Sequence, residues 1–286
     1  MYYNRTRKSS LDTLLCAAYD ESVAEREWGE EIDALAELIV KSRRIVVFTG
    51  AGISTESGVP DFRSPGGVWS RFDPDEFTYQ QFLHTEEGRK RHWQLLKEMG
   101  EMMAVTKPNQ AHYAIAELET MGKLDCVITQ NVDGFHQRAG NSEDKVIQLH
   151  GNISRVQCLG CGKRHSMDEI LEWLKQGIEV PQCVECRGML KPEVVFFGEA
   201  MPVWETMEAE RRSRKCDLCI VVGSSLVVYP AAFMPMYALQ AGAKLAIINE
   251  GATEMNGMAH VRIYGRAGEV LSQVMVQVRE QLRWGE

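Results

Sequence analysis

Two Cys-x-x-Cys pairs stand out among the eight cysteines of the chain. Cys158 with Cys161 and Cys183 with Cys186 are separated by 21 residues, 162–182, slightly more than the ~15–20 usual for paired zinc knuckles. Four thiolates complete a tetrahedral shell around zinc and leave no position open for catalysis. The surrounding segment contains too little apolar mass to fold without such a metal. We therefore expect one structural zinc ion at these four cysteines.

The remaining cysteines predict no second metal site. Cys216 and Cys219 form a third pair, but they lead into the apolar run 218–222, where cysteine behaves as a small apolar residue. Cys16 and Cys126 stand alone. In an intracellular chain of this length, metal ligands and core cysteines are more expected than disulfides.

Polar residues follow five predicted strands at the points where those strands end. In a doubly wound parallel sheet, ligands bind beyond the carboxyl ends of the strands. We therefore expect these residues to meet in one crevice. The five groups are residues 50–54, residues 130–133, His150, residues 223–225 and residues 249–251.

The segment Gly50-Ala51-Gly52 allows backbone N–H groups to approach a pyrophosphate closely, and a following helix N-terminus would favour its negative charge. Taken alone, this motif is as typical of a tight turn as of a nucleotide site. Thr55 occupies the last glycine position of G-x-G-x-x-G, which disfavours an ordinary dehydrogenase. Gly223-Ser224 ends another strand in a similar way, and the amide of Asn249 is of a type that hydrogen-bonds ribose hydroxyls. Taken together, these features favour a nucleotide.

His150 follows a predicted strand and precedes Gly151. A single histidine is more often a structural residue than a catalyst, but its place at a strand end that faces the crevice favours catalysis. Its ordinary pKa of ~6.5 suits a general base near neutral pH.

The elements that must position these residues alternate between helix and strand. This order predicts an α/β fold with a doubly wound, Rossmann-like parallel sheet. Into it are inserted a four-cysteine zinc-ribbon module and a helical excursion, 61–105. We expect an N-terminal extension at 1–29, the sheet domain at 30–155 and 193–286, and the zinc module at 156–192. Predicted helices are 30–42, 109–121, 166–176 and 268–282; predicted strands are 44–49, 126–129, 146–149, 194–197, 218–222 and 245–248.

Composition excludes several classes of protein. The net charge of −8 argues against direct nucleic-acid binding, which usually needs a basic surface. No apolar run approaches the ~20 residues that span a bilayer, and residues 1–20 lack the apolar core of a secretory signal. We expect a cytoplasmic protein that does not bind membranes.

Six segments, in order, resemble the sirtuins, the silent-information-regulator type of NAD-dependent protein deacylases. The resemblance covers the chain from about residue 31 to its end. The segments are GAGISTESGVPDFR at 50–63, TQNVD at 129–133, LHGN at 149–152, the two cysteine pairs, VFFGE at 195–199 and GSSLVVYP at 223–230.

The resemblance implies that NAD is the cosubstrate, that His150 is the general base and that Asn131 is a second catalytic residue. It places Asp133 and the Val132 backbone at the nicotinamide carboxamide, and Val195, Phe197, Gly198 and Val227 at the acyl-lysine peptide. The implied cofactor-binding residues are Gly50, Ala51, Gly52, Ser54, Glu56, Asp61, Phe62, Arg63, Gln130, Asn131, Val132, Asp133, His150, Gly223, Ser224, Ser225, Asn249, Glu250, Gly251 and Ala267.

The family's chemistry would yield nicotinamide, O-acyl-ADP-ribose and free lysine. Relatives that prefer acidic acyl groups carry a Tyr-x-x-Arg pair, and none occurs between Arg63 and Pro108, so we expect an acetyl or another neutral group. The alternatives are a mono-ADP-ribosyltransferase or NAD glycohydrolase that uses the same crevice, and a non-enzymatic NAD-sensing module.

Overall fold

The structure, a computed structural model, describes residues 28–283. Cys16 lies outside these residues, and so does the predicted N-terminal extension, 1–29, apart from its last two residues. The strands of the described chain are β1 Ile45–Thr49, β2 Leu124–Thr129, β3 Val146–Gln148, β4 Gly151–Cys158, β5 Arg164–Ser166, β6 Leu190–Val194, β7 Leu218–Val222, β8 Lys244–Ile248 and β9 Val261–Ile263. Its helices are α1 Gly29–Lys41, α2 Tyr79–His84, α3 Glu86–Val105, α4 Gln110–Thr120, α5 Phe135–Ala139, α6 Met167–Lys175, α7 Val203–Ser213, α8 Phe233–Gln240 and α9 Ala267–Arg283.

Six strands form a parallel sheet in the order β3-β2-β1-β7-β8-β9. Its central strand β1 is buried at every residue, and successive side chains of a strand point to opposite faces. Ile45 and Val47 accordingly pack against α1, α4 and α9, whereas Val46 and Phe48 face the cluster that contains α8 residues. Helices therefore cover both faces, and the predicted doubly wound α/β fold is confirmed.

Local signals explain where several helices begin. The Asn109 side chain accepts from Ala111 N at 2.9 Å and begins α4. The Ser166 side chain accepts from Glu169 N and begins α6. Each bond satisfies a backbone N–H that the first helical turn leaves without a partner. The predicted starts of both helices are confirmed.

A second, smaller sheet carries the cysteine pairs. Its three strands run antiparallel in the order β5-β4-β6. Trp93 and Leu96 of α3 pack into the same apolar cluster as Ile170 of α6 and Leu190 of β6. The helical excursion and the cysteine segment thus share one small core. This sheet extends from Gly151 to Val194, past the predicted limits of 156 and 192, and the domain boundaries stay a prediction.

The predicted strand 194–197 of the main sheet is wrong. Val194 ends β6 of the small sheet, and residues 195–197 belong to neither sheet. Instead, Val195 N donates to His150 O at 2.9 Å, and Phe197 O accepts from Tyr79 N at 2.9 Å. The apolar run resembles a buried strand in sequence, but its aromatic side chains meet the helical excursion rather than a sheet face. Strands β4, β5 and β9 were not predicted.

None of the helices within residues 28–283 is long and apolar enough to cross a membrane.

Candidate active site and metal centre

The glycines after β1 allow two strand-end loops to touch. A Cβ atom on Gly52 would lie 2.9 Å from the Cα of Gly223, and one on Gly50 would lie 2.8 Å from Gly223 O. Gly223 itself has a φ of +62°, a conformation that favours glycine. The chain after β1 forms two short 3₁₀ turns, Ala51–Ile53 and Thr55–Ser57, rather than the expected α-helix. Close packing of the β1 and β7 loops therefore requires these glycines.

The loop after β2 is fixed by hydrogen bonds to the loop after β1. Asn131 Nδ2 donates to Gly50 O at 3.1 Å and to Ser54 Oγ at 3.3 Å. Ser54 Oγ donates to Asp133 Oδ2 at 2.8 Å. Gln130 Nε2 extends the network to the β7 loop by donating to Ser224 Oγ at 2.9 Å. Three of the five predicted strand ends are thus joined directly.

Asp133 is a buried carboxyl group with polar partners. Its Oδ1 accepts from Phe135 N at 2.9 Å, in addition to the bond from Ser54. Burial raises the pKa of Asp133 above its ordinary value, and these hydrogen bonds oppose the rise. A group of this kind can recognise an amide in a pocket that excludes water.

His150 lies at the same edge of the sheet, after β3. Its Nδ1 is 3.0 Å from Gln130 O, and a carbonyl oxygen can only accept, so Nδ1 carries the proton in this bond. The lone pair of the neutral ring is then on Nε2. Burial lowers the pKa of His150, and the bond to Gln130 opposes this shift. The ring is therefore neutral near pH 7 and can accept a proton at Nε2.

The loop after β8 completes the crevice edge. Asn249 Nδ2 donates to Gly251 O at 2.8 Å, so its amide stabilises its own loop. Glu250 is exposed and lies 3.7 Å from Arg266 Nε.

Glu56 Oε2 accepts from Gly268 N at 2.5 Å, at the start of α9 and next to the buried Ala267. Glu56 therefore caps a helix, a role that the sequence did not indicate.

The segment after the 3₁₀ turns lies across the crevice. Asp61 Oδ1 accepts from Arg63 N at 2.9 Å and from Ser64 N at 2.8 Å. Arg63 Nη1 donates to Ser225 Oγ at 3.0 Å. The guanidinium thus connects the β1 and β7 sides, where a pyrophosphate could meet it.

The predicted peptide-binding residues are accessible. Phe197 and Val227 are 46% and 42% exposed, Gly198 is exposed and Val195 is half-buried. Trp69, which the sequence did not single out, has its ring 5.4 Å from that of Phe62 and 5.7 Å from that of Phe197. It joins a predicted cofactor residue to a predicted substrate residue. Its position after Gly66-Gly67 gives no local signal of this role, because only the fold brings the three rings together.

Cys158, Cys161, Cys183 and Cys186 form one cluster in which all four sulfur atoms lie within 4.8 Å of one another. Cys158 Sγ is 3.4 Å from Cys186 Sγ, and Cys161 Sγ is 3.6 Å from Cys183 Sγ. A zinc–sulfur bond of ~2.3 Å places the sulfurs of a tetrahedron ~3.8 Å apart. The cluster therefore fits a structural zinc ion.

The model of the Sir2 family matches residues 50–230. An NAD-dependent protein deacetylase of Thermodesulfovibrio yellowstonii is 46% identical over 89% of this chain and 98% of its own. NAD-dependent protein deacylase 2 of Archaeoglobus fulgidus is 44% identical over 87% of this chain and 97% of its own. The chain belongs to the Sir2 family.

Solved Sir2 structures agree with this assignment. A complex of Sir2 with a p53 peptide and NAD+ has a TM-score of 0.78 at 37% identity, and covers 88% of this chain and 98% of that one. Sir2Af2 bound to a myristoylated histone peptide has a TM-score of 0.74 at 39% identity, and covers 90% of this chain and 99% of that one.

The crevice of this Sir2 protein fits NAD, the cosubstrate of its family. The N–H groups of Gly52, Ile53 and Ser54 are bonded to carbonyls within the loops. Among the described residues, no group accepts from Ala51 N. With the Arg63 guanidinium, this N–H is a donor suited to phosphate oxygens, and the Asp133 pocket is suited to an amide.

The third cysteine pair of this Sir2 protein lies in the core. Cys216 and Cys219 pack with Cys126 in the apolar cluster on one face of the main sheet. Burial raises the pKa of Cys216 to about 12. These thiols are protonated at neutral pH, as expected of apolar core residues.

Proposed function

We propose that this chain removes acetyl or other neutral acyl groups from lysine side chains of proteins, with NAD as cosubstrate. NAD-dependent lysine deacylation is the activity of the Sir2 family. The observation that supports it most directly is the bond between His150 O and Val195 N. It joins the residue with a free basic Nε2 to the exposed segment that we assign to the acyl-lysine peptide.

In this proposal, each side chain has one task. When bound, NAD supplies an electrophilic ribose carbon as nicotinamide leaves. Asp133 and the Val132 backbone bind the nicotinamide carboxamide, and Asn131, with Nδ2 bonded to Gly50 O, positions its Oδ1 in the same pocket. Arg63 and Ala51 N bind the phosphates. His150 Nε2 accepts a proton from a ribose hydroxyl, and its Nδ1–H bond to Gln130 O keeps the ring in the required tautomer.

Aromatic rings support a neutral acyl group. Phe62, Trp69 and Phe197 form a continuous row between the cofactor segment and the substrate segment. Such a wall favours apolar groups and excludes water from the reacting carbon. The nearby Arg71 is paired with Glu98 at 2.8 Å, so its charge is compensated. An acetyl group, or a longer apolar chain such as that carried by the peptide in the Sir2Af2 complex, suits this wall better than a carboxylate.

Nicotinamide release from NAD, measured with and without an acetyl-lysine peptide, tests the proposal. We expect release that depends on the peptide, with one O-acetyl-ADP-ribose formed for each lysine freed, as measured by mass spectrometry. Release without peptide would instead indicate a glycohydrolase, and ADP-ribose attached to protein would indicate a transferase. If neither nicotinamide release nor ADP-ribosylation occurred, the chain would be a non-enzymatic NAD-sensing module.

We also propose a cytoplasmic location. The four-cysteine cluster needs reduced thiolates to bind zinc, and the cytosol keeps thiols reduced. Fractionation of cells that express the chain tests this.

A further inference from the structure

The ammonium group of Lys191 is buried beside the peptide segment. Its side chain is 8% exposed, which is unusual for a lysine. Nζ lies 2.9 Å from Glu199 Oε2 and donates to Val194 O at 2.7 Å and to Pro192 O at 3.2 Å. The ring centroid of Phe196 is 4.4 Å from Nζ. The neighbours of this cation are thus a carboxylate, two backbone carbonyls and an aromatic face.

The ion pair closes the loop that carries the predicted substrate residues. Lys191 stands in β6, and Glu199 follows the segment 195–198. Glu199 Oε2 also accepts from Phe196 N at 2.9 Å. One carboxylate oxygen of Glu199, at the end of the loop, therefore binds Lys191, which precedes segment 195–198, and Phe196, which lies within it.

Two other elements depend on the position of this loop. Val195 N bonds to His150 O at one side, and Phe197 O bonds to Tyr79 N of the helical excursion at the other. These bonds run through the main chain, so a shift of the loop would move the exposed face of Phe197 relative to His150 and Trp69. The ion pair itself touches none of the reacting groups.

We propose that the buried Lys191–Glu199 ion pair is a positioning pair, which fixes segment 195–198 at the distance from His150 that acyl-peptide binding requires. The inference rests on the proposed deacylase function. A buried ion pair of this kind contributes little net stability compared with apolar residues. Its value is in the single conformation that it imposes on a loop without sheet partners.

The test is a steady-state comparison of Lys191→Met with the wild type. We expect KM for an acetyl-lysine peptide to rise by roughly tenfold or more, since small displacements of substrate-positioning groups have large effects. KM for NAD should change by less than about twofold, because the crevice residues keep their own bonds. Lys191→Arg, which keeps the charge, should recover part of the loss.

Lys123→Met is a matched control. Lys123 Nζ donates to two backbone carbonyls, Val40 O at 2.6 Å and Ser42 O at 3.0 Å, but it lies before β2, at the opposite end of the sheet from the crevice. We expect it to lower the thermal unfolding temperature and to leave the peptide KM unchanged.

An unchanged peptide KM in folded Lys191→Met would overturn the inference, as would equal rises in both KM values. Should that variant not fold, Glu199→Gln replaces it, because its amide oxygen can still accept from Phe196 N while the negative charge of the ion pair is removed. A raised peptide KM there supports the pair, and an unchanged one refutes it. A wild-type protein without peptide-dependent nicotinamide release would refute the deacylase function itself, which is a separate result.

Discussion

The crevice and the cysteine module of this protein differ in what stabilises them. The crevice lies at the edge of a sheet with a large apolar cluster on each face. Its polar side chains can be replaced without opening that core. The module has one smaller cluster. Trp93 and Leu96 of α3 pack into it, and it includes the metal-site cysteines Cys158 and Cys183. The polar residues of the crevice are thus distinct from the core that stabilises the sheet, whereas two of the metal-site cysteines are part of the core of the module.

From this difference we expect the two sites to tolerate substitution unequally. A buried main sheet supplies stability in proportion to the apolar area removed from water, so its loops are free to carry strained or polar residues. A small antiparallel sheet buries too little apolar area to be stable in this way, and two of the four zinc-site cysteines, Cys158 and Cys183, form part of its core. Variants at the two sites should therefore give opposite patterns of activity and stability.

The largest effect on activity is expected from His150→Ala. Removal of the base should lower kcat by roughly 10²–10⁴-fold, while the fold stays intact, because the ring makes one side-chain hydrogen bond at a loop. Circular dichroism and thermal unfolding should match the wild type. Full activity in this variant would show that another group is the base.

The largest effect on stability is expected from Cys158→Ser. Loss of one ligand should release zinc and lower the unfolding temperature by roughly 10 °C or more, as loss of a structural metal commonly does. Metal analysis should find one zinc per chain in the wild type, and limited proteolysis of the variant should cut first within 156–192. A wild type without zinc would refute the four-thiolate site.

Cys216→Ser separates loss of metal from loss of a buried thiol. Cys216 is as buried as a core residue and lies outside the cluster. The variant should lose stability and retain one zinc per chain. Loss of zinc from this control would show that metal content follows global stability and not the four ligands.

The smallest effect is on the pH dependence of kcat/KM for the peptide. Catalysis needs neutral His150, which is present above its pKa and lost as the pH falls through it. Because burial lowers that pKa, activity should fall only at a pH below ~6.5, the ordinary histidine value. A profile with its acid midpoint near pH 7 or above would contradict the assigned environment of the ring.

Much of the fold could be predicted from local patterns. Helices α1, α4, α6 and α9 begin and end within about two residues of their predicted limits, since capping residues and apolar spacing are local properties. Strand β4 was missed because it buries only three of its eight residues and lacks a regular apolar alternation, and β5 and β9 because they have three residues each. Segment 195–197 was misassigned because an apolar run has no signal for the partner that it will meet.

Sequence alone determined which chemical groups are available: four cysteines with zinc-ligand spacing, polar residues after the parallel strands, and His150 at one of those ends. Only the tertiary structure decided which bonds these groups make. It paired Glu56 with the start of α9, placed Trp69 between Phe62 and Phe197, and closed the substrate loop through Lys191 and Glu199. Sequence spacing specifies local geometry, whereas contacts between distant segments depend on how the sheets and helices pack.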